Sequence, residues 1–223
     1  AEMAGILARF RDLPEGVFPY GYISGSEGMI GVTPEFLLRD HSSYIESLAL
    51  AGTTRAENIG ALLKDPKELS EHLFVVNDLK ERLSRFGRFE QGQTDEWAVG
   101  LVRHLRTNVK VEVEACIDFT DWIELLHPTP ALGVAPRTRM DWLRAQPEAS
   151  MRRHFGAPVA VTRENGDFHL CLVAIRGLQW RNNEVFLGSG CGIVEASVAE
   201  REWEELKLKR RAVKRMLGLT DAE

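Results

Sequence analysis

The sequence predicts an α+β fold with helices packed outside antiparallel sheets. Three observations predict it. Short apolar or alternating runs separated by turn residues fill the first quarter and return after residue 157. Two long amphipathic segments, one central and one terminal, carry helix-start chemistry. Nothing resembles an alternating βαβ pattern.

Taken in order, the runs Tyr20 to Ile23, Gly28 to Val32, Phe36 to Arg39 and Ile45 to Leu50 read as strands between Gly-, Ser- and Asp-bearing turns. A long helix follows. Asp65 can cap it, Pro66 suits its first position, and Glu68 stands three residues after Asp65. Leu69, Leu73, Val76, Leu79 and Leu83 keep a helical period, and Gly87 is the expected stop. Val99 to Val113 reads as one or two strands, and Asp121 to Leu126 and Thr138 to Gln146 as short helices. A meander of three strands is expected next: Ala157 to Thr162, Phe168 to Leu178, and Val185 to Gly188. Asn165-Gly166 and, more weakly, Asn182-Asn183 supply its hairpin turns. The last helix starts with Ser197 and Glu200 at capping-box spacing and runs to Leu217. Trp203, Leu206, Val213 and Leu217 would form its buried face.

No repeat or flexible linker divides the 223 residues, which read as a single unit over 1–223 with enough chain for a sizeable core. Apolar residues make up 44% and charged residues 27%, which excludes low-complexity disorder. No apolar run is long enough to span a membrane. A net charge of −5 gives no global pull toward nucleic acid or anionic lipid, so neither is an expected partner. Cys116, Cys171 and Cys191 are odd in number and form no CxxC pair, which fits a reducing, cytoplasmic setting rather than disulfides or structural zinc. Neither a dinucleotide fingerprint nor a P-loop is present.

Three places can carry chemistry. Glu68 and Glu71 are three residues apart on the first long helix, and Glu202 and Glu205 repeat that spacing on the last, with Lys209 further along the same stripe. Carboxylates from two helices suit Mg²⁺, a hard cation that bridges to anionic substrates. The same residues also suit a solvated face that complements the helix dipole. Gly188, Gly190 and Gly192 can bring backbone N–H groups against an anion or simply form a tight turn. Arg176, read on an apolar strand, is either paired with an anion or placed at a solvated edge. The histidines, including His104, are individually uninformative.

In sequence order these segments resemble one family. Thr33-Pro34-Glu35 is similar to its S-P-E motif, Ala51-Gly52-Thr53-Thr54-Arg55 to A-G-T-R, and the stretch Lys67, Glu68, Glu71, His72 to K-E-x-x-E-H. Val102-Arg103-His104-Leu105, Ala174-Ile175-Arg176, Gly190-Cys191-Gly192-Ile193-Val194, and Glu202 and Glu205 with Lys209 complete the match, from about residue 17 to 217. The chain resembles the C-terminal part of the chorismate-utilising enzymes, the group of anthranilate synthase component I, aminodeoxychorismate synthase, salicylate synthase and isochorismate synthase.

The resemblance implies two stacked antiparallel sheets with helices outside, and a Mg²⁺ that holds the ring carboxylate of chorismate. Glu71 and Glu205 would be direct metal ligands, with Glu68 and Glu202 near the ion. Gly52, Thr53, Arg176, Lys209 and the backbone at Gly190 and Gly192 would hold the substrate carboxylates. His104 would lie beside the ring, and Glu35 would be the general acid for the departing C4 hydroxyl. The segment Leu126 to Leu132, with Ala131, is similar to that of isochorismate synthases, whereas salicylate- and amine-forming relatives carry Thr at the Ala131 position. The implied reaction is therefore conversion of chorismate to isochorismate by water at C2, without a glutaminase subunit. Two alternatives stay open: a salicylate or amine-forming enzyme of the same family, and a non-catalytic chorismate-binding homologue. The family's water-activating lysine lies in a K-V-V-x-x-R-like segment that, by spacing, would precede Ala1, so an N-terminal part is expected beyond this chain.

Overall fold

The computed structural model describes residues 3–113, 117–163 and 168–219. The Asn165-Gly166 turn and Cys116 lie outside them. Helix α1 (Met3–Ala8) precedes four strands: β1 (Phe18–Ser24), β2 (Glu27–Thr33), β3 (Phe36–Asp40) and β4 (Tyr44–Arg55). Helix α2 (Pro66–Leu83) is followed by β5 (Gly87–Gln91), β6 (Asp95–Val99) and β7 (Val102–Val113). Three short helices come next, α3 (Phe119–Leu126), α4 (Met140–Arg144) and α5 (Pro147–Met151). Strands β8 (Pro158–Thr162), β9 (His169–Val173), β10 (Gly177–Arg181) and β11 (Glu184–Phe186) lead to α6 (Ala199–Leu217).

The strands form two antiparallel sheets. The smaller has the order β1-β2-β10-β11; the larger has the order β5-β7-β4-β3-β9-β8, with β6 also paired to β7. Side-chain alternation assigns the layers. Leu48, Leu50, Leu170, Leu172 and Ala174 of the larger sheet meet Tyr20 and Met29 of the smaller one. On the opposite face, Ala49, Ala51, Cys171 and Val173 meet Val75, Val76, Leu79 and Leu83 of α2 and Trp122 and Leu126 of α3. Val213 and Leu217 of α6 and Ile6 of α1 cover Ile30 and Leu178 on the outside of the smaller sheet. The order is helices, sheet, sheet, helices, as expected.

The start of α2 follows its sequence signals. Asp65 caps it by accepting the backbone N–H of Lys67 at 2.9 Å, with Pro66 in the first turn. Its stop differs. The helix closes at Ser84, and Gly87 instead opens β5, where a Cβ would fall on the carbonyl oxygen of Glu112. Its buried face differs too. Leu73 is 50% exposed, and Glu68 and His72 take buried positions, because this end of the helix faces a polar cleft rather than the core. Helix α6 departs in the same way. Trp203 is 54% exposed under Lys207 and Arg210, while Glu202 and Glu205 point inward. No capping box forms there: Val198 is the cap residue, and Ser197 Oγ instead accepts the Val194 N–H.

The run from Phe168 to Leu178 is not one strand. It breaks at Ala174 to Arg176, where the chain leaves the larger sheet as β9 and enters the smaller as β10. Arg176 therefore sits at a crossing with φ +58°, not on a strand. The other crossing, from β2 to β3, passes through Thr33-Pro34-Glu35. Val32 N–H donates to Arg176 O at 3.2 Å, which stitches the two crossings together. Gly31 and Gly177 permit this seam, since a Cβ on either would overlap the other's backbone and the Tyr20 hydroxyl.

Candidate active site

A cleft opens at this seam, with about 670 Å³ of atom-free space counting its open mouth. Its walls bring together Glu35, Gly52, Thr53, Glu71, His104, Ala131, Arg176, Gly190, Gly192 and Lys209, ten residues spread over most of the chain. Glu68, Glu202 and Glu205 do not line it. They line a second, more polar cavity together with Thr53, Asp65 and Lys67.

The floor of the cleft is a β-bulge. Ala51 pairs with Leu105 and Thr54 with Arg103, so Gly52 and Thr53 together oppose the single residue His104. Gly52 adopts φ +72°, which only glycine takes at little cost. The bulge frees backbone donors from the ladder and turns them toward α2. Thr53 N–H donates to Glu68 Oε2 at 2.8 Å, and Gly52 N–H to Glu71 Oε1 at 3.5 Å.

The bulge also fixes His104. The Gly52 carbonyl lies 2.8 Å from its Nδ1, so Nδ1 carries the proton. Nε2 then accepts from Arg176 Nη2 at 2.7 Å. Burial, Arg176 and Lys209 hold the imidazole pKa well below its ordinary value, so it is neutral at pH 7. The pairing leaves Arg176 Nη1 buried without a protein partner. A buried guanidinium with an open donor edge in a cleft is arranged to receive an anion.

Glu35, just outside β3, is 5% exposed. Burial raises its carboxyl against the pull of Arg176 and Lys209, to about 7. It can therefore hold a proton near neutrality and release it, as a general acid must. Lys209 of α6 reaches back to donate to Gly190 O at 2.8 Å and pairs with Glu205. Gly192 packs against Glu71, where a Cβ would come within 2.4 Å of Oε1.

The glutamates of the two helices meet as expected, but around a residue that the sequence analysis assigned no role. Lys67 Nζ lies 3.1 Å from Glu68 Oε1, 3.1 Å from Glu71 Oε2 and 3.0 Å from Glu202 Oε1. Burial disfavours its charge, yet the three carboxylates outweigh burial and hold its pKa above the ordinary lysine value. The carboxyls of Glu68 and Glu71 are shifted upward, by burial first and by the charge of Glu205. Among the described residues no three Asp, Glu, His or Cys side chains converge as a finished metal site. The donor set still suits a hard cation. Glu202 Oε2 is buried without a partner, and a carboxylate oxygen in that state is a cation acceptor.

Ala131 reaches the cleft on a loop pinned at several points. Arg137 donates to Leu126 O at 2.6 Å and pairs with Asp78 of α2. Arg82 donates to Leu125 O at 2.8 Å, His127 Nε2 to Gly156 O at 2.7 Å, and Arg152 to Leu132 O at 2.7 Å. These anchors escape sequence reading because their acceptors are backbone carbonyls remote in the chain. Phe155, packed under Gly188 and Gly190, escapes it because those glycines lie far along the chain. Cys191 also lines the cleft; burial pushes its thiol up to about 11, which makes it a poor nucleophile.

Comparison with known proteins gives the chain its relatives. A family model described as "Chorismate binding enzyme" matches residues 1–218. Anthranilate synthase component 1 of Acinetobacter calcoaceticus is 31% identical over 207 residues, covering 86% of this chain and 41% of that protein. Isochorismate synthase MenF of Bacillus subtilis is 31% identical over 201 residues, covering 85% of this chain and 42% of that protein. The crystal structure of DhbC from Bacillus anthracis superposes with a TM-score of 0.84 at 23% identity, covering 99% of this chain and 63% of that one. The chain thus spans less than half the length of these two curated relatives.

Proposed function

The chain belongs to the chorismate-binding enzyme family, and from that premise we propose that it is the chorismate-binding portion, over residues 1–223, of a Mg²⁺-dependent isochorismate synthase. One observation carries this reading. A buried carboxyl held to about 7 at Glu35 shares a cleft with a buried arginine whose Nη1 is unsatisfied. That is an acid beside an anion site.

Arg176 Nη1 and Lys209 would receive the substrate carboxylates, with the backbone of Gly190 and Gly192 and the bulge at Gly52-Thr53 closing around them. Neutral His104 would fix the guanidinium and face the ring. Glu35 would donate its proton to the C4 hydroxyl, which departs as water while another water adds at C2, so atoms balance without any redox step. Glu71 and Glu205, with Glu68 and Glu202 beside them, would hold Mg²⁺, which when bound would neutralise carboxylate charge and help orient the substrate. A base other than the residues named above would take the proton that the attacking water sheds at C2.

The subtype rests on Ala131, which lines the cleft. A methyl group there leaves room that a threonine hydroxyl would fill. Cytoplasmic location and independence from a glutaminase subunit belong to the same proposal. Amine formation is the second reading, favoured by the 31% identity to anthranilate synthase component 1. Chromatography of products from chorismate, with and without Mg²⁺ and with and without ammonia, separates the two. Mg²⁺-dependent isochorismate supports the first reading; an amino product requires the second; binding without product leaves a non-catalytic chorismate-binding protein.

A further inference from the structure

Four carboxylates, from Glu68, Glu71, Glu202 and Glu205, face two ammonium groups, Lys67 and Lys209, between α2 and α6. Lys209 is held at one margin by Glu205 and by the Gly190 carbonyl. Lys67 stands at the centre. Its nitrogen lies about 3 Å from oxygens of three of the four glutamates. We propose that Lys67 is a tethered counter-cation that competes with Mg²⁺ for this cluster and swings aside, toward the Asp65 side of the cavity that the glutamates line, when the metal binds.

The inference rests on the Mg²⁺ reading above and adds a residue to it. Two cations cannot hold the same carboxylate oxygens at once. A dication within a few ångströms of an ammonium is repelled in proportion to the product of their charges, and burial leaves little water to screen them. Lys67 must therefore leave the oxygens that the metal takes. The structure offers it a destination. Lys67 lines the second cavity together with Glu68, Glu202 and Glu205, and that cavity extends to Asp65. Movement about the side-chain torsions alone would carry the ammonium from the glutamates toward Asp65, leaving the helix intact.

The arrangement also explains how the cluster survives without metal. Four carboxylates, three of them buried, would repel one another strongly without a cation among them, and breaking such a network is costly. Lys67 satisfies Glu68 and Glu71 through hydrogen bonds. It reaches Glu202 Oε1 but leaves Glu202 Oε2 buried without a partner, while Glu205 Oε1 is held by Lys209. The ammonium thus holds the cluster incompletely, leaving a buried oxygen for a better-matched ion.

Two measurements test this. First, Mg²⁺ binding to the wild-type protein and to Lys67→Met is measured calorimetrically without chorismate, with circular dichroism confirming the fold. The variant should bind at least tenfold more tightly, and its melting temperature should fall in chelator and recover in Mg²⁺. Second, wild-type protein is acetylated at fixed pH with and without saturating Mg²⁺, with labelling read by mass spectrometry against exposed Lys207. Lys67 labelling should rise with Mg²⁺. Equal or weaker Mg²⁺ affinity in folded Lys67→Met, or Lys67 labelling that stays level or falls, overturns the competition and leaves the metal reading standing. If neither protein binds Mg²⁺, even with chorismate, the metal reading itself fails and the competition fails with it. Should the variant not fold, the wild-type labelling decides alone.

Discussion

Glu35→Gln tests the acid assignment through stability as well as turnover. In the unfolded chain the carboxyl ionises near 4.5; in the fold it keeps its proton to about pH 7. Between those values the folded state carries the extra proton. Stability contributed by the protonated form is fully present below pH 4.5 and is lost as the pH rises to about 7, where the loss levels off. A displacement of that size corresponds to about 3 kcal/mol. Glutamine keeps the shape and cannot ionise, so it escapes the loss. Urea unfolding of both proteins at pH 4 and pH 8 reads the difference directly. The wild type should lose about 3 kcal/mol relative to the variant between the two pH values. Other titrating groups are common to both proteins and largely cancel. Parallel pH profiles would show that Glu35 is not a proton-holding group in the fold, and its role as the acid would go with it. Turnover should meanwhile fall by about 10²- to 10⁴-fold with chorismate affinity retained. Loss of both together would make Glu35 structural.

Other perturbations give separate readings. Arg176→Ala removes the unsatisfied Nη1 and the Nη2 donor to His104; chorismate affinity by calorimetry should drop by about 2 kcal/mol or more, and unchanged affinity would place the substrate elsewhere. Gly192→Ala drives a methyl group into Glu71, so it should destabilise the fold by about 1–3 kcal/mol and weaken Mg²⁺ binding; a neutral result in both would mean that Glu71 is free to move. Glu96→Ala deletes the carboxylate that accepts the N–H groups of Gly60, Leu62 and Leu63, and about 2–3 kcal/mol should be lost in denaturant unfolding. Ala131→Thr should reduce isochorismate formation while sparing Mg²⁺ binding, as seen in the product profile; an unchanged profile would remove this position from subtype control.

Much of the fold could be read along the chain because its signals are local. Asp65, Pro66 and the apolar spacing beyond them place α2, and the alternating runs place β1 to β4 close to where they stand. The two misassigned helix faces share one cause. Leu73 and Trp203 look like core by period, yet they are exposed, because Glu68, His72, Glu202 and Glu205 occupy the inward positions. Periodicity assigns a helix its apolar face on the assumption that a core lies opposite. Here a polar cluster lies opposite, and a glutamate within it is indistinguishable in sequence from one in water.

The sequence by itself determined which residues are candidates for the site. Thr33-Pro34-Glu35, the Gly52 and Thr53 segment, the two pairs of glutamates, Arg176 and Lys209 were all marked by motif order, since identity and order are properties of the chain. Tertiary structure alone decided how they act on one another. The register shift between Ala51 and Thr54 sets two residues against His104. The break at Arg176 turns an apparent strand residue into a buried guanidinium between two sheets. The meeting of α2 with α6 puts the Lys67 ammonium among glutamates up to 135 residues away. Charge–charge energies depend on distance and burial, and both are fixed only when the two sheets and their outer helices close around the cleft.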